Sequence, residues 1–369
     1  MSQPLEPEQI HGPDIADSPT SSLAQIWAKK YVADLQVDTQ EQTPAGYPDV
    51  ENVVSLRGRT NTTEKLNQAL RFTSAQAWAK TEALLVKEVQ RHRINPALID
   101  PWRIAEDTRH LFNQTLNVYT EQAPPRQISI LMELPEPAHA VYSAVLEELT
   151  DLPTPGQLSV VIAPEVGKIR QKYTAQDPRV LGFVSMQFHY SGQMLLELLS
   201  PLERNLVGSY FKVIDDHLYM PLHRSYEAAA EHEYNSPALL AVQQLLPISS
   251  EIARSVCQRI SEMYPAYQSY SGSLSSPPVK VSSIRDVEMF QVYLCLCVLE
   301  GKIAALQEEL FPLCVMLYPP LQVRWELVRH MLRLLGQEIS ERLGQNHAGV
   351  FQSASRALWE MFSPEVLAD

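Results

Sequence analysis

From Pro201 to Asp369, apolar residues recur at three- and four-residue steps. The interruptions are Pro or Gly: Pro221, Pro237, Pro247, Pro265, Pro277-Pro278, Gly301, Pro319-Pro320 and Gly344. Spacing of that period stacks apolar side chains on one face of a helix. Pro lacks a backbone donor and its ring clashes with the preceding turn, so it bounds helices and is kept out of their interiors. The pattern predicts a compact all-α domain over residues 201–369, with about six helices or more packed on their apolar faces. Composition agrees, with 27 Pro but only 13 Gly in 369 residues; few Gly among many Leu, Ala, Glu and Gln favours helices.

The first 200 residues read differently. Residues 1–21 are rich in Pro, Ser, Asp and Glu, with almost no large apolar side chain, which predicts a disordered lead. Residues 22–37 suit one helix, and 38–59 are broken and polar. Leu66, Leu70, Phe72, Ala77, Leu84, Leu85 and Val89 mark a long helix over 63–93. Asn95-Pro96 and Asp100-Pro101 end it, because the residue before Pro avoids the helical region. A second helix is expected over 102–119, then a linker with Pro124-Pro125. The β-branched stretches 128–134 and 158–162 predict short buried strands on either side of a helix over 138–149. Residues 180–190 suit either strand or helix. The expected organisation is therefore mainly α. A smaller α or α+β N-terminal domain of unassigned type, residues 22–200, precedes the helical domain of 201–369.

The formal net charge is −13. An acidic chain argues against a general nucleic-acid binder, which presents a basic face, and against docking on an anionic membrane. The apolar run Val292–Leu299 is far shorter than the roughly 18 residues a transmembrane helix needs. The first residues carry neither the basic nor the apolar region of a signal peptide. Four Cys make no disulfide framework. A cytoplasmic protein without a membrane span is the expectation.

Motifs for familiar chemistry are absent from the sequence: no Gly-x-Gly-x-x-Gly, P-loop, Gly-x-Ser-x-Gly or His-Glu-x-x-His. Cys295 and Cys297 stand two apart on a helix and so point to opposite sides, about 200° around the axis. They read as core residues, as do Cys257 and Cys314. His223, Glu227 and Glu231 share one helix face, but a carboxylate bundle site wants Glu-x-x-His on paired helices. A solvated face is the reading, and no metal is expected. Arg91-His92-Arg93 fits a helix C-terminus, where cations favour the dipole.

A family resemblance lies within the helical domain. The stretch VIDDHLYMPLHRSYEAAAEHEYNSPALLAVQQLLPISSEIARSVCQRISEMYP, residues 213–265, is similar to the opening helices of the phycobiliproteins, the globin-related light-harvesting subunits of cyanobacteria and red algae. IRDVEMFQVYLCLCVLEG, residues 284–301, looks like that family's Arg-Asp helix with its terminal Gly. LQEELFPLCVMLYPPLQVRWELVRHMLRLL and SASRALWEMFS follow as the later helices do. The resemblance covers about 150 of the 369 residues and implies a globin-like fold. It also implies an open-chain tetrapyrrole site, in which Arg285 would pair with a propionate and Asp286 would accept pyrrole N–H groups. Ser283 stands where the family has its thioether Cys, and a hydroxyl is a far weaker nucleophile than a thiolate. No covalent bilin is therefore expected. Val292 stands where the family commonly has an Arg that pairs subunits, although Asp215 and Asp216 suit the acidic side of that contact. The residue-level alternative for Arg285 and Asp286 is plain helix-start chemistry.

Three functions follow from the sequence. The first is a non-enzymatic interaction or regulatory protein, without bound cofactor, that uses a chromophore-free phycobilisome-like domain to dock protein partners. Phycobilisome or photosynthetic components of a cyanobacterial cytosol are the expected partners, and a homodimer is one expected assembly. The second is a sensor that binds a bilin non-covalently or acts as a haem-free globin-like domain. A haem would need an axial His, and residues 240–264 contain none. The third, an enzyme seated in residues 22–200, has no motif behind it.

Overall fold

Helix caps in the sequence set the boundaries of the fold. The computed structural model describes residues 23–31, 53, 55–121 and 155–368. Helix α1, residues 23–31, buries Leu23, Trp27 and Tyr31 at four-residue steps. Helix α2 (Leu56–Arg91) starts where the Ser55 side chain accepts a hydrogen bond from Gly58 N at 3.2 Å. The start expected at residue 63 was late. Residues 57–62 carry no large apolar side chain but continue the helix, and five of the eleven residues in the buried stripe of α2 are Thr or Ser. Their hydroxyls donate to carbonyls one turn back, as Thr73 does to Ala69 and Thr81 to Ala77. A hydropathy reading sees such a stripe poorly. The helix ends with Arg93 at φ 53° and Ile94 N donating to the Val89 carbonyl, a left-handed C-terminal turn.

Helix α3 (Pro101–Thr120) is capped by the Asp100 carboxylate, which accepts from Trp102 N and Arg103 N. Helices α4 (Pro155–Thr174) and α5 (Val180–Glu197) follow. The expected strand over 158–162 is overturned: those residues lie inside α4. Leu158 and Ile162 are buried while Val160 and Val161 are exposed, so the β-branched run is amphipathic at helical period and packing overrides propensity. Residues 180–190 are helical. The expected strand over 128–134 and helix over 138–149 lie outside the described residues, as do the lead, residues 32–37 and the linker.

Helix α6 (Pro201–Tyr219) opens with a capping box: Ser200 accepts from Glu203 N and Glu203 accepts from Ser200 N. Helices α7 (Leu222–Ala230), α8 (Pro237–Leu245) and α9 (Ser249–Met263) lead to a short hairpin, β1 (Gln268–Ser269) with β2 (Gly272–Ser273). Helix α10 (Pro277–Glu300) ends at Gly301, whose φ of 64° suits a residue without Cβ. A π-helical turn, Ala305–Leu310, runs into α11 (Phe311–Leu317). Helix α12 (Trp325–Met361) is kinked at Gly344, φ 68° and ψ 167°.

Thus the described residues are mainly helical, and the breaks at Pro and Gly fall where the sequence places them. No helix among them is long and apolar enough to cross a membrane. Helix α10 touches α7, α8, α9, α12 and the π-helical turn, and residues 287–297 within it are buried all round. One connected core runs from Leu23 to Phe362. It crosses residue 201 without interruption, because α6 packs on α3, α4 and α5. Helix α1 is pinned to α10 by Lys30 and Glu288, 2.7 Å apart with both side chains nearly inaccessible.

Candidate functional site

The first half of α10 leaves the core and forms the wall of a cleft. Helix-start chemistry is ruled out for Arg285 and Asp286, because α10 begins at Pro277, more than two turns earlier. They are half-buried on that wall, brought together with the C-terminal turns of α6. Asp215 and Tyr219 stand four apart on α6 and so share one face. Asp215 forms an ion pair with the Arg285 guanidinium, and His189 of α5 lies 3.5 Å from the same carboxylate oxygen. Tyr219 donates its hydroxyl to Asp286 Oδ1 at 3.0 Å, and the Arg285 guanidinium stacks 4.4 Å from the Tyr219 ring centre. Five side chains from three helices thus make one polar wall.

The cleft beside that wall has a volume of about 850 Å³, within the range of small-molecule sites. Tyr267, Leu274, Leu321, Val328 and Met331 supply apolar lining, and Ser283 and Cys257 line it as well. Burial would raise the Asp215 carboxyl, but the Arg285 guanidinium, with His189 behind it, holds it well below the usual carboxylate range. Asp286 goes the other way: burial pushes it up, and the same guanidinium offsets only part of that. Two carboxylates on one wall therefore differ in character. Asp215 is a fixed anion, and Asp286 is an acceptor whose charge is costly to keep. The Tyr219 phenol is pushed far up by burial and by Asp286, so it serves as a donor.

Most of the other candidates named from the sequence fall in structural roles. Cys295, Cys297 and Cys314 are buried. Cys257 is corrected: it is half-buried on the cleft side of α9 and only borders the core. Burial, with Asp286 and Glu288 adding, pushes its thiol up to about 12, so it is a poor nucleophile at neutral pH. His223 lies 3.6 Å from Glu227, and a Cβ at Gly167 would meet its ring at 2.7 Å, so the ring is held against α4. Glu231 is the C-cap of α7. Among the described residues no group of three or more His, Cys, Asp or Glu side chains is placed to hold a metal. Arg91 and His92 both reach Glu88, at 3.1 and 3.2 Å. Asp216, buried, accepts from Lys212 at 2.8 Å, and Val292 is buried inside α10. Asp215 and Asp216 thus both have partners within the chain.

Sequence reasoning singled out Arg285, Asp286 and Ser283 but missed His189 and Tyr219, and it gave Asp215 a different partner. Four-residue spacing on α6 signals that Asp215 and Tyr219 share a face; nothing in the spacing signals that the face meets α10. No protein-family model matches this chain, and no curated protein and no solved structure matches it either.

Proposed function

We propose that this protein is a non-enzymatic binding and regulatory module that holds an extended small molecule, of the open-chain tetrapyrrole class, non-covalently in the cleft beside Arg285 and Asp286. The observation that carries this reading is the open volume of about 850 Å³ against those two residues. Had side chains filled that space, only a docking role would be left for the domain. The apolar lining suits a conjugated ring system, and Asp286 suits its N–H groups. Ser283 and the raised Cys257 thiol favour reversible binding over a thioether.

A docking module without pigment is the second reading. The internal partner that Arg285 already has in Asp215 favours it. Its expected partners are phycobilisome or photosynthetic components of a cyanobacterial cytosol.

Biliverdin added to the purified full-length chain separates the two. The ligand reading expects a visible absorption band that co-elutes with the protein at about one equivalent. Acidic denaturant should release that pigment, since no covalent bond holds it. A colourless product after gel filtration excludes the ligand reading and leaves the docking one.

A further inference from the structure

Charge accounting on the cleft wall separates two kinds of ligand contact. Arg285 is not idle: its guanidinium is paired with Asp215. That pair is dry. Arg285 Nε and Asp215 Oδ1 are both buried with no hydrogen-bond partner among the described residues. Charges in such surroundings attract strongly, and removing one partner strands the other. A ligand carboxylate that claimed Arg285 would leave the half-buried Asp215 with only His189, 3.5 Å away, to face it. Asp286 is in the opposite position. A carboxylate accepts about four hydrogen bonds. Tyr219 supplies one at 3.0 Å, Tyr318 lies beside the same group, and Asp286 keeps part of its surface on the cleft. The wall thus has spare acceptors and a guanidinium already spoken for.

Resting on the cleft reading above, we infer that Asp215 takes the place of a ligand's acid group, so that the cleft selects ligands by N–H donors delivered to Asp286 and not by carboxylates delivered to Arg285. Specificity of this kind works by making the wrong contact costly. Exposed Lys280 and half-buried Arg254 also line the cleft. An exposed ion pair is worth at most about 1 kcal/mol, or roughly fivefold in affinity.

The test compares biliverdin with its dimethyl ester, which keeps the ring N–H groups and loses both carboxylates. On the unmodified full-length protein, the two dissociation constants are expected to agree within about fivefold. A preference for the acid of about tenfold or more overturns the inference while leaving the cleft reading intact. Failure of both probes to bind overturns the cleft reading, and the inference with it. Asp215→Asn releases the guanidinium and should shift the preference toward the acid by about tenfold. An unchanged acid-to-ester ratio in that variant counts against the inference. Asp286→Asn should weaken both probes alike, by about tenfold for a lost charged acceptor. An unchanged affinity for either probe counts against Asp286. The comparison on the unmodified chain holds even if a variant folds poorly.

Discussion

His217 is 2% exposed. Its Nδ1–H donates to the Val213 carbonyl at 2.9 Å, and its Nε2 accepts from the Ser159 hydroxyl at 3.3 Å. The neutral ring satisfies both contacts, whereas a charged ring would have to hold its charge away from water. Burial lowers its pKa to about 4, with nearby Lys30 adding to the effect and the Val213 bond opposing it. The unfolded chain therefore binds the extra proton between about pH 6.5 and pH 4, so stability rises with pH across that window and is lost as pH falls through it. The loss is on the order of 3 kcal/mol. Urea midpoints measured between about pH 7 and pH 4.5 should fall accordingly. His217→Gln, less stable at neutral pH, should flatten that slope; an equally steep variant would place its cause elsewhere. Single residues were legible in the sequence only in part. Arg285 and Asp286 stood out because they precede an apolar run and resemble a known site, although the helix itself begins earlier, at Pro277. Their partners did not, because spacing assigns a residue to a face and is silent on which distant face it meets.

Helix α4 shows where an element is misread. A stretch of Val and Ile invites a strand, and 158–162 is such a stretch. Leu158, Ile162 and Val166 are buried at four-residue steps, however, while Val160 and Val161 stand in solvent. The helical period was present but short, and β-branched residues masked it. Substitution checks the assignment. Val161→Ala should stabilise by a few tenths of a kcal/mol, since Ala is the better helix former at an exposed site. Ile162→Ala should cost about 2–4 kcal/mol through the cavity it leaves. Thermal or urea unfolding measures both, and a loss on Val161→Ala would speak for tertiary contacts that its exposure denies. Bounding Pro, Gly or N-cap residues made α3 readable at Asp100-Pro101, α6 at Ser200-Pro201 and α10 at Gly301, but not the start of α2 at Ser55 or of α4 at Pro155.

Across the whole molecule, the change of composition at residue 201 does not coincide with a change of packing. Helix α6 sits among α3, α4 and α5, and α1 reaches Glu288 through Lys30. Composition reports how each segment is punctuated; the core depends on which segments cover one another. Helix α10 links the cleft to that core, since its first half forms the cleft wall and its second half is enclosed by neighbours. Its enclosed amides should therefore exchange with deuterium only when the entire protein opens. A ligand that binds only the folded state slows such opening by a factor of one plus its concentration over Kd, about a hundredfold at 100 Kd. Mass spectrometry of a peptide spanning residues 287–299 should record that slowing, and unchanged exchange at saturation would mean the helix opens independently of the rest. Cleft occupancy would then be legible from isotope uptake in the enclosed turns of the same helix, for a coloured ligand or a colourless one.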